Sequence, residues 1–360
     1  MLKSYIFPSV YEAINRELPN VSDNILNGMR LKLNDEDYII GNLALAEAYN
    51  PHKSFNGSPT ELEYSILSKA GLLLTQPKRD EELVLTSGFP FSTYQLFREQ
   101  AKEQLQGTHT IYYDATTFGG NPNSKRDINI SKVEIVPEIV GCITAIREGE
   151  LQEKDNFFVV SLGYGTCEAV VSTRAGIINR SSVSTKGIRH AVNIMTNELS
   201  KNLYLNLKTE HQLDVAFQSG NITVNRVSRN LGEIRERALK TYYKDIISPS
   251  LRAAFLDDDF NKCKKMFLVG GGSLYTELFD CFREEFNGIV SVETYPEPEK
   301  CASHGYCINS KQRIAGAFKS AKGSGGSYDD DVALTRNPQL AVGLDLGNAN
   351  TCVTIYRNED

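Results

Sequence analysis

The sequence lacks any long apolar run, and none approaches the ~20 residues that a membrane-spanning helix needs. It also lacks a secretory signal, because its first residues, MLKSYIFPSVYEAINREL, have neither a long apolar core nor a small-residue cleavage site. These absences favour a cytoplasmic protein that makes no contact with a membrane.

Paired cysteines and an excess of positive charge are missing too. The seven cysteines include no CxxC pair, so we expect reduced, mostly buried thiols. Cys301 and Cys307 flank His304, but this spacing fits no common zinc site. The net charge of −6 argues against a surface that neutralises nucleic-acid phosphate, so direct contact with nucleic acid is not expected.

What the sequence does have is an alternation of strand and helix patterns. Its 360 residues, 41% apolar and 23% charged, suit a globular chain of two domains with a cleft between them. Apolar runs such as ELVLTSGF predict buried strands, and periodic stretches such as LEYSILSKAGLLL predict helices. We therefore predict an α/β fold whose second half repeats the plan of the first.

Glycine-rich turns recur between these patterns. AVGLDLGNANTCVTIYR combines a strand ending near Asp345, a turn of Gly and Asn, and a second strand; SLGYGTCEAVV repeats this design from Ser161, and FLVGGGSLYTEL adds a third turn. Successive backbone N–H groups in such turns can wrap a phosphate, while a carboxylate holds a hydrated metal. Each turn alone is explained as an ordinary hairpin, but the three together favour a site for a nucleoside polyphosphate and its metal.

These motifs resemble those of the actin, Hsp70 and sugar-kinase ATPase fold. GLDLGNANTC resembles the first phosphate loop, SLGYGTCEAVV the second, and FLVGGGSLYTEL the adenosine motif, while IVPEIVGCITA and QRIAGAFKSA resemble the two connecting segments. IFPSV, DYIIGNLAL and LVLTSGFPFSTY are similar to the ParM/StbA group of plasmid-segregating actin-like proteins. The resemblance covers nearly the whole chain. It implies an actin-like two-domain ATPase fold, each domain a mixed sheet with flanking helices and a nucleotide cleft between them.

The order of the motifs departs from that family. There the first phosphate loop precedes the other motifs, whereas here it follows the last helix and the segment KGSGGSYDDDVALTRNPQ. GSGGS has the composition of a flexible coil, which favours a circularly permuted chain order of engineered origin; a natural glycine-rich connector is the alternative. The expected division is domain I over residues 1–145 with 305–322 and 340–360, domain II over 146–304, and a linker over 323–339.

The resemblance also implies roles for individual residues. Asp345 would bind Mg²⁺ through water; the alternative is that it only caps the end of a strand. Glu138 would position the attacking water; the alternative is a solvated glutamate at a strand end. Ser161 stands where the family has an aspartate, so the catalytic set Glu138, Asp345 and Ser161 implies slow hydrolysis. In the family one helix frames adenine, and the matching helix here carries Glu233, Arg237 and Lys240. Salt bridges at the helix surface explain these three residues equally well. The residues expected to contact the nucleotide are Gly347, Asn348, Ala349, Asn350, Gly163, Tyr164, Gly165, Thr166, Gly270, Gly271, Gly272, Ser273, Glu233, Arg237 and Lys240.

The resemblance further implies a function. ATP (or GTP) with Mg²⁺ would control the assembly of a head-to-tail filament of this protein, and the filament would segregate plasmid DNA through a DNA-binding adaptor. Two other functions share the fold. A small-molecule (sugar-type) kinase needs a catalytic aspartate in the cleft, and no convincing candidate lies near the second loop. An Hsp70-like ATPase switch needs a peptide-binding domain, which the sequence does not show.

Overall fold

In the computed structural model the chain divides into two units by its internal contacts. The first unit is Met1–Gln152 with Lys300–Asp360, and the second is Glu153–Glu299. The structure describes residues 2–18, 22–53, 57–78, 81–202, 209–224, 226–323 and 340–357. The linker predicted over residues 323–339 lies outside this part, apart from Gly323.

Strands and helices alternate along the described chain, as the sequence predicts. The strands are β1 Lys3–Pro8, β2 Val10–Ile14, β3 Arg30–Leu33, β4 Glu36–Ile40, β5 His52–Lys53, β6 Glu82–Phe89, β7 Gly107–Tyr113, β8 Ser124–Pro137, β9 Phe157–Leu162, β10 Thr166–Thr173, β11 Gly176–Ile177, β12 Val183–Lys186, β13 Asn221–Val224, β14 Val227–Asn230, β15 Lys265–Val269, β16 Ser291–Thr294, β17 Leu340–Leu346 and β18 Asn350–Arg357. The helices are α1 Asn42–Glu47, α2 Leu62–Thr75, α3 Phe91–Leu105, α4 Glu138–Glu148, α5 Arg189–Asn202, α6 Glu210–Ser219, α7 Gly232–Tyr242, α8 Ser248–Ala254, α9 Asp257–Lys262, α10 Thr276–Glu285 and α11 Cys301–Gly323. None of these described helices is long and apolar enough to cross a membrane.

The sheet of the first unit has the strand order β1-β18-β17-β6-β8-β7-β3-β4-β2-β5. Its three central strands β17, β6 and β8 are parallel, and the remaining pairs are antiparallel. Parallel strands are buried on both faces, which explains why ELVLTSGF reads as a nearly continuous apolar run. Because the three strands are parallel, their carboxyl ends meet at one edge of the sheet.

Helix α11 packs against this sheet through small residues. A Cβ on Gly343 of β17 would lie 2.1 Å from the carbonyl oxygen of Ser303, and one on Gly305 would lie 1.8 Å from that of Gly141 in α4. Ser310 Oγ also donates a hydrogen bond to the Val342 carbonyl over 2.9 Å. The sequence predicts a helix only from the QRIAGAFKSA region, because the preceding turns bury mainly small or polar residues, with Tyr306 as the large exception.

The sheet of the second unit has the order β11-β10-β9-β15-β16, with β12 also pairing β10. Strands β9, β15 and β16 are parallel, and β9 and β10 form an antiparallel hairpin. One face of the hairpin joins an apolar core built with α5, α7 and α10, whose members include Val160, Leu162, Val192, Leu239 and Phe282. The mixed α/β architecture predicted from the sequence is confirmed in both units.

Each cysteine lies in the described part of the chain, and none forms a disulfide. All except Cys281 are buried. His304 approaches Ser4 Oγ at 3.0 Å, and Cys307 donates to the Ala341 carbonyl. No three His, Cys, Asp or Glu side chains gather into a metal site within the described residues. The expectation of mostly buried thiols is confirmed.

The β17–β18 hairpin lies inside the first sheet although it comes last in the sequence. β18 pairs with β1 over six residues, from Lys3 opposite Ile355 to Pro8 opposite Asn350. β17 pairs in parallel with β6. The hairpin is therefore an inner part of the first sheet, although its residues are the last in the sequence. On this basis we propose that the chain order is a circular permutation.

This proposal predicts that the order of the segments is exchangeable. A chain in which residues 340–360 precede residue 2 should keep the parent's melting temperature and circular dichroism spectrum, because changing a flexible connection costs only about 0.6 kcal/mol per doubling of its length. Deleting residues 340–360 removes two central strands and should unfold the first unit, which provides the control. A relocated chain that fails to fold would show that the present order is required.

Candidate functional site

The loop of the first hairpin is held from one side by Ser9. This residue is fully buried between β1 and β2. Its N–H donates to the Ala349 carbonyl over 2.9 Å, and its hydroxyl donates to the Gly347 carbonyl over 2.6 Å. A Cβ on Gly347 would lie 2.7 Å from the Asn350 carbonyl, so this tight turn requires glycine. With these carbonyls engaged, the loop offers mainly N–H groups to a ligand, which favours an anion.

Two carboxylates lie at the adjoining edge of the first sheet. Asp345 is the penultimate residue of β17, and Glu138 opens α4 directly after β8. One strand, β6, separates β17 from β8, which places the two chain segments roughly 10 Å apart. Burial raises the pKa of Asp345 well above its usual range, and the charge of Glu138 raises it further. Ionised together, the two groups therefore repel each other, and a cation near them would offset the repulsion.

The donor set at this edge fits a hydrated magnesium ion. Mg²⁺ binds oxygen ligands, keeps several of its waters, and is usually held by one or two carboxylates together with substrate phosphates. Asp345 supplies such a carboxylate beside a loop suited to an anion, and Glu138 adds a second negative charge at the same sheet edge. Three metal-ligating side chains do not gather anywhere in the described residues, so a cage made by the protein alone does not occur there. The residues present thus fit a metal that arrives with a phosphate.

The second hairpin repeats the arrangement of the first. Its loop runs from Gly163 to Thr166, and the carbonyls of its first three residues accept hydrogen bonds from consecutive N–H groups at the start of α5. Ile188 donates to Gly163 over 3.0 Å, Arg189 to Tyr164 over 2.9 Å, and Gly187 to Gly165 over 3.0 Å. Because these carbonyl oxygens already accept hydrogen bonds within the protein, the loop offers mainly N–H groups to a ligand. It therefore also favours an anion.

Sequence reasoning missed the two residues that organise these loops. Ser9 lies in IFPSV, which the sequence analysis used only as a marker of resemblance. Gly187 precedes α5, and a Cβ there would lie 2.5 Å from the carbonyl oxygens of both Gly163 and Tyr164. A serine after Pro8 and a glycine before a helix are common local patterns. Only the long-range contacts distinguish these two positions.

Replacing Ser9 by alanine should weaken ATP binding about tenfold while leaving the fold intact. The change removes the hydroxyl contacts to the Gly347 carbonyl and to Thr351 Oγ1, each worth about 0.5–1.5 kcal/mol. Ser4→Ala, in the adjoining strand β1 but bonded to Thr354 and His304, is the matched control. Calorimetric titration with ATP and Mg²⁺ measures both; equal affinities in the two variants would contradict the role of Ser9.

The triple-glycine turn adjoins the second hairpin. Gly270 has φ of +80°, and a Cβ there would lie 2.8 Å from the Leu162 carbonyl. A Cβ on Gly272 would meet Ile188 at 2.8 Å, whereas one on Gly271 would have nothing within 4 Å. Ser273 Oγ donates back to the Gly270 carbonyl over 2.7 Å. Packing thus explains two of the glycines, while Gly271 borders open space that a ligand can occupy.

Ser161 and Tyr164, both expected at the nucleotide, lie in different surroundings in the second hairpin. Ser161 is buried in β9, with 2% of its surface exposed. The Tyr164 hydroxyl donates to Glu210 over 3.1 Å, and this carboxylate is also paired with Arg189. Burial, followed by the charges of Asp214 and Glu210, raises the pKa of Tyr164. The Tyr164 side chain therefore contacts α6, and it stays neutral.

The three α7 residues expected near adenine form contacts at the surface. Glu233 is 94% exposed, Arg237 is paired with Glu198, and Lys240 is paired with Glu236 over 2.8 Å. A role for them toward a nucleotide stays a prediction.

Arg235, on the same helix, lies closer to the glycine turn. It donates to Glu277 over 2.7 Å, and its guanidinium lies 5.8 Å from the centre of the Tyr275 ring. The charge pattern of α7 gave no reason to prefer it, because Arg235 and Arg237 are equivalent in the sequence alone.

Comparisons with known proteins find the same architecture. Residues 2–141 match the family model described as the N-terminal domain of actin like proteins. A ParM from a 15-stranded filament of Clostridium botulinum aligns with a TM-score of 0.71 at 18% identity, over 85% of this chain and 92% of that chain. An archaeal actin homolog aligns with a TM-score of 0.69 at 19% identity, over 85% and 92%. Bacillus thuringiensis ParM, solved with AMPPNP, aligns with a TM-score of 0.54 at 16% identity, over 86% and 92%. No curated protein sequence matches the chain.

Proposed function

Because the chain has the actin-like fold, and residues 2–141 match the N-terminal domain of actin-like proteins, we propose that it is a nucleotide-dependent, filament-forming ATPase. The observation that carries this proposal is the repeated hairpin. In both units a glycine-rich loop has its carbonyls engaged from one side, and the first unit adds Asp345 and Glu138. Such paired loops suit the phosphates of ATP or GTP.

Each residue at the first hairpin has a distinct part in this proposal. The backbone from Gly347 to Asn350 binds the β- and γ-phosphates, and Asp345 holds water bound to Mg²⁺. The metal, when bound with the nucleotide, supplies charge stabilisation for phosphoryl transfer. Glu138 accepts a proton or a hydrogen bond from the attacking water. In the second unit, the loop at Gly163, Gly165 and Thr166 is itself suited to phosphate, and the turn at Gly270–Ser273 leaves room for a nucleoside.

Assembly into a filament is proposed from the relatives of this fold. One of the similar solved structures is a 15-stranded ParM filament. A head-to-tail contact that does not close on itself produces a filament, so a single pair of complementary surfaces suffices. The net charge of −6 suits a protein that reaches plasmid DNA through an adaptor rather than directly. Slow hydrolysis would then set how long the polymer lasts.

Light scattering and negative-stain microscopy test the proposal. Protein with ATP and Mg²⁺ should scatter strongly and show filaments, whereas protein with EDTA or without nucleotide should stay dispersed. The same preparations are assayed for ATP turnover with a panel of sugars, since a sugar-type kinase would depend on one of them. Dispersed protein under every nucleotide condition, in this chain order and in the relocated order, would contradict filament formation.

A further inference from the structure

A cleft of about 1000 Å³, the β7 cleft, lies on the first sheet over the neighbouring strands β8, β7, β3 and β4. One of its lining residues, Lys125, is the second residue of β8, whereas Pro137 ends that strand beside Glu138. At about 3.3 Å per residue, these two positions are about 40 Å apart along the strand. The β7 cleft is therefore separate from the hairpin loop at the other end of the strands.

A row of three side chains crosses the β7 cleft. Tyr112 of β7 lies directly opposite Lys125 of β8 on one side and Lys32 of β3 on the other. Residues directly opposite in antiparallel pairs project from the same face, with Cβ atoms about 4.5–5.5 Å apart. Tyr112 has 52% of its surface exposed, and both lysines are exposed. The cleft thus presents an aromatic ring between two ammonium groups.

Below this row, the floor of the β7 cleft is held by a charge network. Arg30 of β3 is paired with Asp37 and with Asp114, each over 3.1 Å. Asp114 also accepts hydrogen bonds from the N–H and the hydroxyl of Thr116, over 2.8 and 2.6 Å. Only 11% of the Arg30 side chain is exposed, so water reaches little of this network. The floor is therefore preorganised, and its charges are engaged with one another.

The charges at the rim of the β7 cleft are available to a ligand. Among the described residues Lys32 forms no ion pair, and Lys125 forms one, a 3.5 Å contact with exposed Asp127. Surface pairs of this kind contribute little. On the β4 side of the cleft, Glu17 and Asp35 are exposed carboxylates. One side of the cleft thus offers cationic donors, and the other offers anionic acceptors.

We propose that the β7 cleft binds a nucleoside monophosphate, at a site separate from the one proposed for ATP. The two lysines bind the phosphate, the base stacks on Tyr112, and the carboxylates on the β4 side accept hydrogen bonds from the ribose hydroxyls. A volume of about 1000 Å³ is at the upper end of the usual range for small-molecule sites. Two lysines opposite two carboxylates suit one phosphate better than three. This inference goes beyond the proposed ATPase and does not depend on it.

Calorimetric titration with AMP, GMP, CMP and UMP tests the assignment, and at least one should bind with a Kd below ~1 mM. Tyr112→Ala should weaken that binding at least ~10-fold because stacking is lost, and Lys32→Gln combined with Lys125→Gln should do the same because the phosphate loses its cations. Tyr49→Ala, at a tyrosine of the same unit that is 84% exposed, and Lys102→Gln, at an exposed lysine of α3, are the matched controls. The controls should change the affinity less than about twofold. All five side chains are partly or fully exposed, so the variants should keep the parent's circular dichroism spectrum.

Fragments of the nucleotide identify the groups that are recognised. The nucleoside without its phosphate, and ribose 5-phosphate without a base, should each bind at least ~10-fold more weakly than the monophosphate. Asp345→Asn should leave the affinity unchanged, because Asp345 lies at the other end of the strands. Binding that falls in Asp345→Asn but not in Tyr112→Ala would assign the monophosphate to the hairpin loop and overturn the inference. Ribose 5-phosphate binding as tightly as the monophosphate, or no binding of any of the four at millimolar concentration, would overturn it too.

Discussion

Replacing Glu138 by glutamine lowers ATP turnover by roughly 10²–10⁴-fold, the usual contribution of a general base or the group that replaces it. Affinity for ATP·Mg²⁺ changes little, because the loop N–H groups and Asp345 are untouched. The expectation follows from the place of Glu138 at the carboxyl end of β8, on the sheet edge that carries Asp345. A carboxylate there can orient water, whereas the neutral amide keeps the shape but accepts no proton.

Glu148→Gln is the matched control for this variant. Glu148 ends the same helix, α4, and its carboxylate contacts Gln312 rather than the sheet edge. Single-turnover hydrolysis, measured with nucleotide bound, separates the chemical step from binding in both variants. Undiminished hydrolysis in Glu138→Gln would show that Glu138 is only a solvated glutamate at a strand end.

Replacing Asp345 by asparagine should have two opposite effects. Affinity for ATP·Mg²⁺ falls about 100-fold, or about 2.7 kcal/mol, because the carboxylate that holds the metal's water is lost. The nucleotide-free protein becomes more stable at neutral pH. The raised pKa of Asp345 means that its ionised form destabilises the fold above the unfolded-state pKa, and asparagine removes that charge. Each unit of the pKa shift corresponds to about 1.4 kcal/mol.

Thermal melting with and without ATP·Mg²⁺ measures both effects in one series. The parent should melt lower than Asp345→Asn without nucleotide, and ATP·Mg²⁺ should raise the melting temperature of the parent by more than that of the variant. Asp127→Asn, an exposed aspartate on β8 that contacts Thr110, is the control and should preserve the parent's nucleotide-induced shift. An Asp345→Asn variant that binds ATP·Mg²⁺ as tightly as the parent would exclude Asp345 from the metal site.

The sequence predicts what depends on local pattern. Gly347 and Gly163 mark tight turns between apolar strands, so both hairpins and the mixed α/β plan were predictable. The resemblance to ParM-type actin-like proteins is confirmed at the level of the fold. The start of α11 was missed because its buried face consists of small and polar residues apart from Tyr306, and such a face carries no apolar periodicity.

The remaining site features depend on register and on contacts distant in sequence. Ser9 holds a loop more than 330 positions away, as its 338-residue separation from Gly347 shows. The N–H of Gly187 likewise donates to the carbonyl of Gly165, 22 residues earlier, a contact that the local sequence before α5 does not indicate.

The most direct test of the account is an experimental structure of the protein with a non-hydrolysable ATP analogue and Mg²⁺. The account predicts phosphate oxygens within hydrogen-bond distance, ~2.7–3.2 Å, of backbone N–H groups in residues 347–350 and 163–166, with a metal-bound water on Asp345. The analogue bound elsewhere, or the two loops without phosphate contacts, would contradict the central claim that these hairpins form the nucleotide site.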